Sequence, residues 1–237
     1  MSLFLGYIHY MMYDKIMFQE SILDDLLNLL DEAEKNNLKR ELDVEFLIEK
    51  GDLKEIIDEN NIHGWLDERV NRSENRLAKT VSILLKDFTL KDLEDKFFET
   101  GKNYDPGNSP SEVFNFISSK FLDGMPCDHA LMIIKNEDDE FIFKIARDVH
   151  KEIWGKYVDS NIYWNLRDSF IAGSLENSNL KYKKIDENYI IGKWLSGFFK
   201  KYNRLFRKWA QRNSYFLWQN GRKVFRNFKW KSWYRFF

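Results

Sequence analysis

Cysteine and histidine are the residues of this chain best suited to bind a metal or to act as a nucleophile and its base, and they are few. Cys127 is the sole cysteine, and the histidines are His9, His63, His129 and His150. Thiolate and imidazole are ligands that Zn and Fe accept. A chain reversal between Cys127 and His150 would bring these two together. One hypothesis is therefore a transition-metal site made of Cys127 and His150 with His9 or His63.

The same residues support a second chemical interpretation, in which Cys127 is a nucleophile. Cys127 follows Pro126, so it can stand at the start of a new element, where backbone N–H groups lower the pKa of a thiol. His129 or His150 would then be the base. The chain lacks the paired Cys-x-x-Cys or His-x-x-x-His spacing of established metal sites. That lack favours the structural interpretation, a small buried thiol and hydrogen-bonded or exposed histidines.

The motifs of the common enzyme classes do not occur in this sequence. It has no phosphate-binding loop, dinucleotide-binding glycine pattern, zincin or zinc-finger spacing, or Gly-x-Ser-x-Gly elbow. The acidic runs DEAEKNN and KNEDDE do not match a calcium loop, which needs ligands at alternate positions, a central glycine and a closing glutamate. They indicate solvated surfaces instead.

The distribution of charge is uneven along the chain. Residues 193–237 contain 13 Lys and Arg, 16 aromatic residues and no Asp or Glu. The other 192 residues contain 24 basic and 38 acidic residues, a formal charge of −14. The net charge of −1 therefore hides an acidic body and a basic C-terminal segment. Such asymmetry is typical of an interaction segment or of self-association.

On a helical wheel, residues 193–212 separate into a basic face and an aromatic face, which predicts a basic amphipathic helix. The basic face comprises Lys200, Lys201, Arg204, Arg207, Lys208 and Arg212. The opposite face includes Trp194, Phe198, Phe206 and Trp209. This pattern is typical of a helix that lies on an anionic membrane surface. Nucleic acid is a less favoured partner. Docking on the body, self-association through the aromatics, and a terminus that is not a selected structure are the other interpretations.

Helical periodicity dominates residues 1–190. Scarce proline and abundant Leu, Glu and Lys favour long helices. We predict a mainly α fold, a bundle of six to eight helices with one short β-hairpin over about 131–146. Asp52, Thr89 and either Ser109 or Ser111 are expected helix caps, and DEAEKNN is expected to be the polar exit of the first helix. The helices are predicted over about 3–34, 41–50, 61–87, 89–101, 109–124 and 161–178.

These observations combine into one prediction for the whole chain. Residues 1–190 form an acidic helical domain and 191–237 a basic aromatic appendage. No signal peptide and no spanning segment are expected, and a single cysteine suits a reducing compartment, so we expect a cytoplasmic protein. The leading function is binding to an anionic surface, above all a membrane, through the C-terminus. The alternative is a helical enzyme, or a ligand or metal sensor, that uses the Cys127 and histidine site.

Overall fold

Eight helices and four strands make up the part of the chain that the computed structural model describes, residues 5–124 and 130–193. The helices are α1 Tyr7–Leu27, α2 Glu32–Phe46, α3 Leu53–Ile56, α4 Ile62–Leu84, α5 Leu90–Gly101, α6 Pro110–Lys120, α7 Lys151–Trp154 and α8 Asn161–Ser174. The strands are β1 Leu131–Asn136, β2 Glu140–Ile145, β3 Leu180–Ile185 and β4 Asn188–Lys193. The predictions made for Cys127, for His129 and for the basic amphipathic helix lie outside the described residues.

Three of the predicted helix caps are confirmed. The side chain of Asp52 accepts a hydrogen bond from the backbone N–H of Lys54 at the start of α3. Thr89 caps α5, and Ser109 caps α6. Each cap satisfies a backbone N–H that has no partner inside its helix, which is why these residues fix the first turn.

The predicted end of the first helix is wrong. Helix α1 stops at Leu27, and the acidic run that was expected to be its exit is the start of α2. Asp31 accepts hydrogen bonds from the N–H groups of Ala33 and Glu34, and the Glu34 carboxylate accepts one from the N–H of Asp31. This reciprocal capping box starts a new helix at a polar position. As a result α2 covers 32–46 instead of the expected 41–50.

The fold is mostly helical, as predicted, but its β structure is larger than the predicted hairpin. The four strands form one antiparallel sheet in the order β1-β2-β4-β3. Strands β1 and β2 lie where the hairpin was expected, and β3 and β4 were not anticipated. One side of the sheet packs on α6, where the rings of Phe114 and Phe141 stack with centroids 4.2 Å apart. Strand β4 runs through position 190, the predicted domain end, to Lys193.

Two apolar clusters hold these elements together. The larger one joins α1, α2, α4, α5, α6, α8 and the sheet. The smaller one lies between the first half of α1, residues 48–57 and the start of α4, with Tyr13, Ile62 and Trp65 among its members. No helix of the described ranges is long and apolar enough to span a membrane.

The crossing of α5 and α8 is unusually close and depends on glycine. A Cβ atom on Gly173 would lie 2.0 Å from the carbonyl oxygen of Phe98, and a Cβ on Gly101 would lie 2.1 Å from that of Phe170. Neither oxygen can move without shifting a helix backbone. The two glycines therefore set the position of α8, which carries Tyr163 and Arg167 into the core.

We expect Gly173→Ala to lower the free energy of unfolding by about 2 kcal/mol or more, because the added methyl group forces the two helices apart. Gly6→Ala is the matched control, since a Cβ at Gly6 meets no atom within 4 Å and its φ is −112°. Urea unfolding followed by circular dichroism measures the free energy of unfolding of both variants. Equal stability of the two variants would show that the crossing is not as close as described.

Candidate functional site

A cluster of charged side chains is buried around His150, at the start of α7. The exposed fraction of His150 is 1%. Its Nδ1 lies 2.9 Å from Oε2 of Glu74 on α4, and its Nε2 lies 3.3 Å from Oδ1 of Asp123, which follows α6. Both ring nitrogens of His150 therefore face a carboxylate oxygen.

Three further donors complete the cluster. The indole N–H of Trp154 donates to Oε2 of Glu74 over 2.9 Å. The hydroxyl of Tyr163 donates to Oδ1 of Asp123 over 3.1 Å, and Nη2 of Arg167 donates to Oδ2 of Asp123 over 2.6 Å. The ring of Tyr163 also stacks on His150 with centroids 3.6 Å apart. Asp123 thus joins α8 to α7.

The carboxylates determine the protonation of His150. Burial alone would lower the pKa of His150, but the charge of Glu74 and the hydrogen bonds to Asp123 and Glu74 outweigh burial and raise it to about 9. Burial alone would likewise raise the pKa of Asp123, but the positive charge of Arg167 and the hydrogen bond from His150 hold it well below its usual range. At neutral pH two carboxylates therefore meet two cations.

This protonation state limits the chemistry that His150 can perform. An imidazolium that donates from both nitrogens has no lone pair for a metal ion and cannot accept a proton from a thiol. Cys127 lies outside the described residues, so its pairing with His150 stays a prediction. In the described ranges no group of three or more His, Cys, Asp and Glu side chains is placed to hold a metal.

Two buried polar atoms of the cluster, Oε1 of Glu74 and Nε of Arg167, have no hydrogen-bond partner among the described residues. Arg167, Tyr163 and Trp154 also line a small cavity together with Gln19 and Lys120. Its volume is about 10 Å³, close to the space that one buried water molecule needs. The cavity suits a single water molecule better than an organic substrate.

A second buried polar cluster joins α1 to α4. Nε of Arg76 donates to Glu20 over 2.9 Å, and the Ser73 hydroxyl donates to the other oxygen of Glu20 over 3.0 Å. Gln19 donates to Ser73 over 3.3 Å, and Nη1 of Arg76 also reaches Asp43 on α2. Neither cluster was predicted from the sequence. The sequence does contain a signal for these clusters. Helical spacing places residues 73 and 74 on the buried stripe of α4 between Val70 and Leu77, yet both residues are polar, which indicates buried polar side chains.

The other predicted site residues, His9 and His63, lie together. Their Nε2 atoms are 3.4 Å apart at the N-terminal ends of α1 and α4. His9 is buried and His63 is exposed. The described contacts of His9 and His63 include none with His150, whose partners are Glu74 and Asp123.

Comparison of the chain with protein-family models, with curated proteins and with solved structures finds no match.

We expect Asp123→Asn to lower the free energy of unfolding by about 3–5 kcal/mol, because it leaves the buried cations without their shared counter-charge. The matched control is Asp95→Asn. Asp95 pairs with Lys91 in an exposed salt bridge, whose loss costs less than about 1 kcal/mol. Chemical denaturation of both variants at neutral pH tests the difference. A loss at Asp123 no larger than that at Asp95 would contradict the buried cluster.

The raised pKa of His150 also predicts a pH dependence of stability. The stabilisation is complete below the unfolded-state pKa of about 6.5 and is lost as pH rises through about 9, where the folded protein releases the proton. Urea unfolding between those values should therefore show stability falling toward the alkaline end. In His150→Gln, whose side chain does not titrate, this fall should disappear. An identical alkaline fall in the variant would assign it to other groups.

Proposed function

We propose that the protein binds anionic membrane surfaces through residues 193–237. The observation that carries the proposal is the composition of this segment, with 13 Lys and Arg, 16 aromatic residues and no acidic residue. Basic residues near anionic lipid contribute about 1 kcal/mol each, and Trp, Tyr and Phe favour the interface between headgroups and acyl chains.

The charges of the body give further support. Two buried arginines are already paired with carboxylates of the body, Arg76 with Glu20 and Arg167 with Asp123. Arg69 likewise pairs with Glu49. Residues 1–192 contain 38 acidic and only 24 basic residues, so an anionic surface repels this part of the chain as a whole. Attraction to such a surface has to come from the C-terminal segment.

The membrane is favoured over nucleic acid because of how the segment's residues are distributed. On a helical wheel the bases and the aromatics of 193–212 fall on opposite arcs, which suits a flat interface that is polar on one side and apolar on the other. Binding of single-stranded nucleic acid combines bases and aromatics on one surface, so that phosphates and base faces are met together. Self-association through the aromatics is the other outcome that an experiment has to separate.

The alternative function, an enzyme or sensor built on Cys127 and histidine, has weaker support. His150 at neutral pH carries both ring protons and faces two carboxylates. His9 and His63 are engaged with each other. A metal or other cofactor at Cys127 stays a prediction, for which metal analysis and visible absorbance of the purified protein are the direct checks.

Sedimentation with lipid vesicles tests the membrane proposal. The full chain should sediment with vesicles that contain phosphatidylserine and stay in solution with phosphatidylcholine alone, and added salt should weaken the binding by screening. Analytical ultracentrifugation without lipid reports self-association, and a single-stranded oligonucleotide competitor reports nucleic-acid binding. Equal sedimentation with both kinds of vesicle would refute the proposal.

A charge-matched pair of variants locates the binding surface. Six basic residues of the C-terminal segment are changed to glutamine in one variant, Lys200, Lys201, Arg204, Arg207, Lys208 and Arg212. Six exposed basic residues of the body are changed in the other, Lys54, Lys86, Arg147, Lys151, Lys156 and Lys181. We expect the first variant to lose binding, since six contributions of roughly 1 kcal/mol vanish, and the second to keep it. Equal losses of vesicle binding in the two variants would show that binding depends on the net charge of the chain and not on this segment.

A further inference from the structure

His9 and His63 meet where α1 and α4 begin, although 54 positions separate them in sequence. Their ring planes are nearly perpendicular, at 87°, with centroids 5.1 Å apart. The Nε2 of each ring points at the Nε2 of the other over 3.4 Å. Two nitrogens at this distance attract only if one carries a proton and the other a lone pair.

A backbone contact decides which nitrogen carries the proton. The N–H of Gly6 donates to Nδ1 of His9 over 2.9 Å, so Nδ1 holds a lone pair. The proton of the neutral His9 ring is therefore on Nε2, where it is donated to Nε2 of His63. Neutral His63 must then carry its own proton on Nδ1. The pair in this form holds one proton between its two facing nitrogens.

We propose that His9 and His63 form an acid-sensitive switch that fastens the first turn of α1 to α4 when both rings are neutral and releases it when a second proton binds. That proton has two places to go. On Nε2 of His63 it would face the N–H of His9, and on Nδ1 of His9 it would face the N–H of Gly6. Either position replaces a hydrogen bond with repulsion between two donors.

The surroundings of His9 favour release in mild acid. Burial lowers the pKa of His9, and the charge of His63 lowers it further. Among the described residues, His63 is the group whose charge affects the pKa of His9. The hydroxyl of Tyr13, one turn along α1, forms hydrogen bonds with the backbone of Glu49 and Gly51 instead. Because the pKa of His9 is depressed by folding, its stabilisation is present above the unfolded value of about 6.5 and is lost as pH falls below it.

The released turn would uncover apolar surface. Leu5, Tyr10 and Tyr13 pack with Ile62 and Trp65 in the smaller apolar cluster. The His9–His63 hydrogen bond holds these residues against the start of α4, and the Gly6–His9 hydrogen bond fixes the first turn of α1. Loss of these bonds should open this end of α1 while the larger cluster, which contains α5 and α8, stays closed.

Two measurements on the full chain test the switch. Histidine ring ¹⁵N spectra above pH 7 should show the proton of His9 on Nε2 and that of His63 on Nδ1. Hydrogen exchange on acidification to about pH 5.5 should show amide protection in 7–13 falling at least about tenfold more than in α5. A His9 proton on Nδ1, or equal changes in both helices, would overturn the proposal.

The variant His63→Asn supplies the control, since its exposed amide offers an acceptor that does not titrate. We expect the acid-dependent loss of protection to shrink, because only a proton on Nδ1 of His9 can still break a hydrogen bond. The pKa of His9 should rise, because the charge on His63 is gone. Zinc titration separates a proton switch from a metal site. Zinc bound through both Nε2 atoms would require the proton of His9 to be on Nδ1. Tight zinc binding that His63→Asn abolishes would show that the pair is a metal site and not a proton switch.

Discussion

The fold depends on the neutralisation of buried charge around His150. Glu74, Asp123, His150 and Arg167 lie in the interior, and each is stable there only because the others are present. The four residues come from α4, the segment after α6, the start of α7, and α8, so one electrostatic balance fixes four parts of the chain. The close glycine crossing of α5 and α8 sets the position of α8 in the apolar core, and from that position Arg167 and Tyr163 reach Asp123.

This charge balance changes the interpretation of the histidines, which were the strongest candidates for a catalytic or metal-binding role in the sequence. His9, His63 and His150 have partners within the fold, and the partners of His150 keep it protonated at neutral pH. Arg76 and Arg167 pair with carboxylates inside the body, which remains acidic overall. The basic and aromatic composition of 193–237 is therefore the strongest signal of an external partner, which is why we propose surface binding for that segment and a structural role for the buried histidines.

The features that could be predicted from the sequence are local ones. Thr89 and Ser109 cap helices through contacts three residues away, so the pattern contains the whole interaction. The end of α1 was mispredicted because Asp31 and Glu34 act as a capping box inside a run that also suits a helix exit. Strands β3 and β4 were missed because the lysine-rich pattern of β3 gains stability only by pairing with β4, which itself pairs with β2. The contacts of Glu74 with His150, 76 positions away, depend on the folded chain.

The protonation of His150 at neutral pH is the claim on which this account rests, and the ¹⁵N signals of its ring measure it directly. Nδ1 and Nε2 should both carry a proton at pH 7, and one of the two protons should be lost near pH 9. A neutral ring with a single proton at pH 7 would contradict it. The buried cluster would then carry an unmatched negative charge, and His150 would have a lone pair available for a metal ion or for Cys127.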